Sequence, residues 1–272
     1  MSRTYVVTGS ASGIGAATAR RLREAGARVI GVDLRAADVI ADLATDAGRA
    51  ALVEGVTRLS GGVIDAVIAN AGGGSAATMI QLNFFGAVAT LQGLRPMLAR
   101  SAAPRALAVS SISSMRPHPR GLVEACLAMD ERAALAAARR AHETGELGSA
   151  ANDGMPDAAQ ATLALYGAAK EALQRWCRKS APNAAWAGAG ITLNVVALGF
   201  YDTPSAAYVL EDPERRAAMA QLSPLSGSYP GRPEAAAALL AWLVSADNTQ
   251  MTGQILFADG GFECRMHAEK DS

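Results

Sequence analysis

Tyr166 and Lys170 stand four residues apart in Tyr166-Gly167-Ala168-Ala169-Lys170, within a stretch of helix-forming residues. On a helix, positions i and i+4 share one face, so the phenol and the ammonium would stand side by side. A free phenol ionises near ~10, too high for a ready base at neutral pH, and an adjacent cation favours phenolate. Lys170 is therefore expected to tune Tyr166 as a general acid or base. Upstream, an apolar run ends in Val109-Ser110-Ser111. The Ser111 hydroxyl could hold a substrate oxygen that Tyr166 protonates or deprotonates. A surface Tyr and Lys at helical spacing would look the same, so the pair draws its weight from this serine.

A second constellation opens the chain. Thr8-Gly9-Ser10-Ala11-Ser12-Gly13-Ile14-Gly15 follows an expected strand, Tyr5 to Thr8, and precedes an expected helix, Ala16 to Ala25. Gly9, Gly13 and Gly15, with Ser12 and Ile14 between them, allow a tight turn and let a pyrophosphate approach the helix N-terminus, whose N–H groups and dipole favour anions. The next strand, Arg28 to Asp33, ends in a carboxylate about twenty residues beyond the glycines, where it can accept both ribose hydroxyls of an adenosine. A 2′-phosphate would meet Asp33 as a like charge, so NAD is expected rather than NADP. Arg35 is the one neighbour that could compensate. Asp42-Leu43, closing a third expected strand from Val39, could contact adenine or simply face solvent.

Chemistry of this kind needs a rigid frame. Further strands are expected at Ile64 to Asn70, Arg105 to Ser111, Ile191 to Ala197 and Gln254 to Ala258. Helical spacing covers Ala47 to Ser60, Ala76 to Arg100, Thr162 to Trp176 and Glu234 to Ser245. Alternation of this sort specifies an α/β fold: a Rossmann-like, doubly wound parallel sheet in a three-layer α/β/α sandwich, with residues 1–272 as a single domain. Only about five residues separate Asp33 from Val39, fewer than the ~10–12 of a helical crossover, so one helix should be missing there. Residues 113–161 form an insertion, helix-forming around Leu122 to His142 and looser beyond. It is expected to be either a solvated excursion or a substrate lid anchored by Leu122, Met129 and Leu135.

Composition narrows the function classes. Lys+Arg 25 balances Asp+Glu 25 over 272 residues, so no long-range field steers the protein onto nucleic acid or anionic lipid. Hydrophobic residues make up 50% and aromatic residues 5%, which excludes disorder and suits tight helix-on-sheet packing. Cys126, Cys177 and Cys264 are widely spaced and include no CxxC pair, which speaks for reduced thiols. His118, His142 and His267 do not cluster, so no metal site is expected. Arg139-Arg140 is read as a solvated helix face, and Arg265 to Ser272 as a polar tail that frays. No apolar run reaches the ~18 residues of a membrane span, and a cytoplasmic protein is expected.

Taken together, these motifs resemble those of the short-chain dehydrogenase/reductase family over nearly the whole chain. Thr8-Gly9 through Gly13-Ile14-Gly15 resembles its TGxxxGIG, Asn70-Ala71-Gly72 its NAG, Tyr166 to Lys170 its YxxxK, and Asp259-Gly260-Gly261 its closing DGG. Asn83, in Gln81-Leu82-Asn83-Phe84-Phe85-Gly86, falls where the family places an Asn on its fourth long helix. The resemblance implies Tyr166 as general acid/base and Ser111 as the residue orienting a carbonyl. It implies Lys170 on the nicotinamide ribose, Asn83 holding a proton-relay water, and Asn70, Ala71, Gly72, Gly199 and Thr203 along the cofactor. The family's usual Pro-Gly reads Leu198-Gly199 here, so the nicotinamide loop is expected to be less rigid. Within the family, the hydroxysteroid dehydrogenase/carbonyl reductase branch resembles this chain in Gly31-Val32-Asp33-Leu34-Arg35 and in the long insertion.

The expected reaction interconverts a secondary alcohol and a ketone on a hydrophobic cyclic or aromatic substrate, a hydroxysteroid or an aryl-alkyl carbinol, with NAD. The partner is that small hydrophobic alcohol or ketone. A homo-oligomer is expected, a dimer in preference to a tetramer, because the insertion adjoins the helices this family uses for assembly. A non-catalytic dinucleotide sensor would have shed Asn83, Ser111, Tyr166 or Lys170. A sugar-nucleotide epimerase or dehydratase would need a larger C-terminal half.

Overall fold

Short β-branched and small apolar runs become strands because both faces of a parallel sheet are covered by helices. The computed structural model describes residues 2–144, 157–225 and 227–271. Its strands are β1 (Thr4–Thr8), β2 (Arg28–Asp33), β3 (Val39–Ile40), β4 (Ala66–Ala69), β5 (Arg105–Ser111), β6 (Thr192–Leu198) and β7 (Ile255–Ala258). They form one sheet in the order β3-β2-β1-β4-β5-β6-β7, with every neighbouring pair parallel. Winding reverses between β1 and β4, which opens a crevice beyond their C-terminal ends. All residues of β4 and β5 are buried, as the apolar runs require.

Helices α1 (Gly13–Glu24) and α9 (Pro233–Leu243) cover one face, where Val7, Leu22, Leu107 and Leu240 close the core. Helices α2 (Asp46–Ser60), α3 (Ala87–Leu98) and α6 (Asp157–Ser180) cover the other, around Leu52, Leu94 and Leu173. The expected three-layer sandwich is therefore present. The missing crossover is also present as such: no helix lies between β2 and β3. β3 is shorter than Val39 to Leu43 because Asp42 turns the chain. Its carboxylate accepts from Ala44 N–H at 3.0 Å and its carbonyl from Thr45 N–H at 3.0 Å, and Thr45 then caps α2.

Three expectations change. The helix read over Ala76 to Arg100 instead contains a π-helical turn, Gln81–Gly86, leading into α3. The stretch Leu122 to His142 is two helices, α4 (Arg120–Leu127) and α5 (Glu131–Glu143), broken where Met129 adopts φ 60° and Asp130 caps α5 through Ala133 N–H at 2.9 Å. The tail expected to fray is helical, within α10 (Phe262–Asp271). A 3-10 turn, Ile112–Met115, joins β5 to the insertion, and α7 (Ala207–Leu210) and α8 (Pro213–Gln221) follow β6.

The described part of the insertion is fastened down. Leu122, Val123 and Cys126 of α4 and Ala134, Ala137 and Ala141 of α5 belong to the core on the α6 side. Arg49 of α2 pairs with Glu131 at 2.6 Å and donates to the Gln81 carbonyl at 3.1 Å, tying α5 to the π turn. Leu122 is fully buried and Leu135 packs against the same core, whereas Met129 stands exposed, so the three do not form one lid face. Residues 145–156 of the insertion lie outside the described residues. No described helix is long and apolar enough to cross a membrane.

Candidate active site

β5 delivers Ser111 at its C-terminal end, and α6 lays Tyr166 and Lys170 against it. The Ser111 hydroxyl accepts from Ser113 N–H at 3.1 Å, donates to Ser113 Oγ at 3.2 Å, and stands close enough to the Tyr166 hydroxyl to act on its proton. Tyr166 is half-buried. Removal from water pushes its phenol up to about 12, the Ser111 hydroxyl pulls the other way, and the nearby Tyr208 phenol adds to the rise. Lys170 is 2% exposed, its Nζ donates to the Val109 carbonyl at 2.9 Å and lies 5.4 Å from the centroid of the Tyr166 ring, and burial brings it down to about 8. The pair meets as the spacing demanded: the Lys170 ammonium stands over the Tyr166 ring, and Ser111 draws the phenol down from the other side.

α6 can approach this closely because residue 167 has no side chain. A methyl group on Gly167 would lie 2.4 Å from the Ser113 carbonyl oxygen. Further along the same face, Gln174 donates from Nε2 to Ser110 Oγ and to Ser114 Oγ, each at 2.9 Å. Sequence reasoning missed Gln174; its place two turns beyond Tyr166 was the available signal.

Asn83 is fully buried on the π turn, a distortion that recurs at functional sites. Its Nδ2 donates to the Gly73 carbonyl at 2.8 Å and the Met79 carbonyl at 2.9 Å, and its Oδ1 accepts from Gly73 N–H at 3.3 Å. A methyl group on Gly72 would lie 3.0 Å from Asn83 Oδ1 and 3.6 Å from Lys170 Nζ. Asn83 and Lys170 thus converge on one point of the β4 loop, and Ser111, Tyr166, Lys170 and Asn83 form one cluster.

The crevice beyond β1 and β4 is built from the residues singled out for a dinucleotide. Gly9 has φ 69°, and a methyl group on Gly15 would collide with the Gly9 carbonyl, so the turn packs backbone on backbone. Buried Thr8 accepts through Oγ1 from Asn70 N–H at 3.0 Å and Ala71 N–H at 2.9 Å, while Asn70 Nδ2 donates to the Thr8 carbonyl at 3.0 Å. These bonds lock the two strand ends together, a role for Thr8 that its place in the motif did not reveal. Ser12 begins α1 without a side-chain cap, Ile14 packs beside it, and no acidic residue occupies the first turn. The positive helix end therefore suits an anion. Thr203 reaches this loop, since a methyl on Gly13 would lie 3.2 Å from its Cγ2.

Asp33 sits at the end of β2, accepting from Ala11 N–H at 2.9 Å and Leu34 N–H at 2.7 Å. A second carboxylate, Asp38, was missed: it accepts from Gly31 N–H at 2.7 Å and pairs with Arg23 at 3.7 Å, beside a cleft of about 280 Å³ lined also by Ser10 and Ala36. Asp42 is exposed. Leu43 is not available as an adenine contact through its side chain, which is in the core, and its carbonyl is taken by Arg49 Nε at 3.0 Å. The remaining residues fit a nicotinamide dinucleotide: a bare helix N-terminus, a backbone-on-backbone turn and a carboxylate at the ribose end.

The loop after Leu198-Gly199 is held without the family's proline. Gly199 N–H donates to the Ala258 carbonyl at 3.0 Å, Gly231 N–H to Phe200 at 2.9 Å, Asp202 N–H to Gly231 at 2.8 Å, and Tyr201 OH to Ala258 at 3.0 Å. Beyond this loop lies a cavity of about 920 Å³, walled by Ile112, Phe200, Met219, Leu222, Tyr229 and Phe262. Phe200 and Tyr229 stack at 5.8 Å. Ser111 and Tyr166 do not themselves line this cavity; Ile112, next to Ser111, is its nearest link to them. Among the described residues, no three His, Cys, Asp or Glu side chains gather as metal ligands, and His118 is paired with Glu171 at 2.6 Å.

Comparison with known proteins agrees with this geometry. A family model described as short chain dehydrogenase matches residues 3–123, and one described as enoyl-(acyl carrier protein) reductase matches residues 132–263. A 3-alpha-hydroxysteroid dehydrogenase/carbonyl reductase of Comamonas testosteroni is 32% identical, with 96% of each chain covered. A cis-4-hydroxycyclohexanecarboxylate dehydrogenase of Sinomonas cyclohexanicum is 33% identical, again with 96% of each covered. The crystal structure of a 3-alpha-hydroxysteroid dehydrogenase from Pseudomonas sp. B-0831 complexed with NADH is similar at a TM-score of 0.83 and 34% identity, covering 98% of this chain and 99% of that one. With its motifs, its sheet order and these likenesses, the chain belongs to the short-chain dehydrogenase/reductase family of oxidoreductases.

Proposed function

We propose that the protein is an NAD(H)-dependent secondary-alcohol dehydrogenase/carbonyl reductase acting on a hydrophobic cyclic or aromatic substrate, a hydroxysteroid or an aryl-alkyl carbinol. The observation that carries this reading is the gathering of Ser111, Tyr166 and the buried Lys170 and Asn83 into one cluster at the C-terminal ends of β4 and β5. Ser111 and Tyr166 would grip the substrate oxygen, and in oxidation Tyr166 takes its proton while the Ser111 hydroxyl steadies the developing charge. Lys170 and Asn83, converging at Gly72, give that proton a way onward. Bound nicotinamide supplies the hydride acceptor or donor and, when oxidised, a positive charge that favours phenolate.

NAD is favoured because Asp33 places a carboxylate at the end of β2, near the ribose end of the crevice, where a 2′-phosphate would be repelled. The 34% identical relative bound to NADH supports the same choice. A hydrophobic substrate is favoured by the walls of the 920 Å³ cavity and by the hydroxysteroid and hydroxycyclohexanecarboxylate activities of the relatives. The test follows reduced-nicotinamide absorbance while purified protein meets a panel from androsterone-like steroids to aryl-alkyl carbinols, with NAD and NADP in parallel. Turnover with NAD at least about tenfold more efficient than with NADP is expected. An equal or reversed cofactor preference would remove the role given to Asp33, and silence across the panel would remove the substrate class.

A further inference from the structure

Gln174 is 7% exposed and lies on the face of α6 that carries Tyr166 and Lys170. Its two contacts are unusually constrained. Ser110 already donates its own proton to the Lys170 carbonyl at 3.2 Å, and Ser114 donates its proton to the Ser111 carbonyl at 2.7 Å. Each hydroxyl can therefore offer Gln174 only lone pairs. An amide NH2, with two protons and no charge, satisfies both at once. The two serines flank Ser111, whose hydroxyl meets Tyr166.

We propose that Gln174 is a positioning residue for the reaction: by donating to Ser110 and Ser114 together, it pins the turn on both sides of Ser111 to the helix that carries Tyr166, and so sets where Ser111 stands relative to Tyr166. The inference rests on the reading of Tyr166 as the acid/base. It specifies donors rather than bulk. Gln174→Glu keeps the shape but turns a carboxylate toward two lone pairs; Gln174→Leu keeps most of the volume and donates nothing.

Kinetics of wild type, Gln174→Glu, Gln174→Leu and Ser114→Ala are measured across pH with the best alcohol of the panel. In both Gln174 variants kcat is expected to fall about tenfold, the loss of roughly one hydrogen bond's net contribution. The rising limb of kcat for oxidation should move upward by about half a pH unit or more, because the contact that favours phenolate has loosened. KM for NAD stays unchanged. Combining Ser114→Ala with Gln174→Leu should cost less than the two single losses added, since the Gln174–Ser114 contact is common to both. A limb that stays in place, with only thermal stability reduced, overturns the inference and leaves Gln174 a packing residue. A crystal structure of Gln174→Leu decides the matter without turnover: Ser111 Oγ leaves the Tyr166 hydroxyl if the inference holds, and an intact pair contradicts it. Wild type silent towards every alcohol would count against the proposed function, while that crystal structure still judges Gln174.

Discussion

Lys170 sits inside the protein with its ammonium on a single carbonyl, and that arrangement costs stability. Its depressed value of about 8, against 10.5 for a free lysine, means the folded state holds the proton less tightly than the unfolded chain. The cost is therefore fully present below about 8 and is relieved as pH rises from there towards 10.5. At neutral pH it is on the order of 3 kcal/mol. Lys170→Met is expected to raise the melting temperature at pH 7, with the gain shrinking as pH rises, and to abolish turnover. Melting curves of both proteins at pH 7 and pH 9.5 check this, and a destabilised variant at pH 7 would contradict it. Tyr166 carries the opposite sign in catalysis: burial holds its proton on, so alcohol oxidation should accelerate with rising pH and ketone reduction should not. Spacing and strand ends made Ser111, Tyr166 and Lys170 legible in the sequence. Thr8, Asp38 and Gln174 were not, because each acts through a fold contact rather than through a motif: Gln174 meets Ser110 and Ser114 from sixty residues away or more.

Among the elements, α6 and the π turn do the placing. Gly167 lets α6 ride against the Ser113 carbonyl, so Gly167→Ala would force helix and turn apart. The expected outcome is a fall in kcat/KM of about 10²-fold, the scale of a misplaced reacting group, with NAD affinity retained because the β1–α1 turn is untouched. Equal activity in that variant would mean that the close seating of α6 on the Ser113 carbonyl is not needed. Helix and strand periods located all seven strands and the helices that layer the sheet, but α7, α8, α10, the π turn and the break at Met129 escaped them. A π turn keeps helical spacing while widening the ring by one residue, and Met129 is a residue whose positive φ no side-chain type announces. Asn83 still landed on its functional helix because the resemblance, not the period, located it. The insertion could not be judged as lid or layer from composition alone, since an Ala-rich amphipathic helix serves either; burial of Leu122, Cys126 and Ala134 against α6 makes its described part a layer.

At the scale of the molecule, the reversal of winding at β1 and β4 gathers the cofactor crevice and the proton-transfer cluster at one end of the sheet. Fold class was legible from alternation alone, whereas the cavity walls come from segments spread over residues 112–264 and had no local signature. We propose that α4 and α5, packed against α6, keep that helix from a second copy, while β7 leaves a sheet edge of half-exposed residues open. A dimer is therefore expected in sedimentation velocity at micromolar concentration, and a tetramer would contradict the shielding given to the insertion. The central claim is that Tyr166 moves the proton. It is tested most directly by comparing wild type with Tyr166→Phe, measuring NAD binding by titration and alcohol oxidation by reduced-nicotinamide absorbance across pH. The account predicts unchanged NAD affinity, turnover reduced by ~10²–10⁴-fold or more, and loss of the rising alkaline limb. Wild-type turnover with that limb intact in Tyr166→Phe would contradict it.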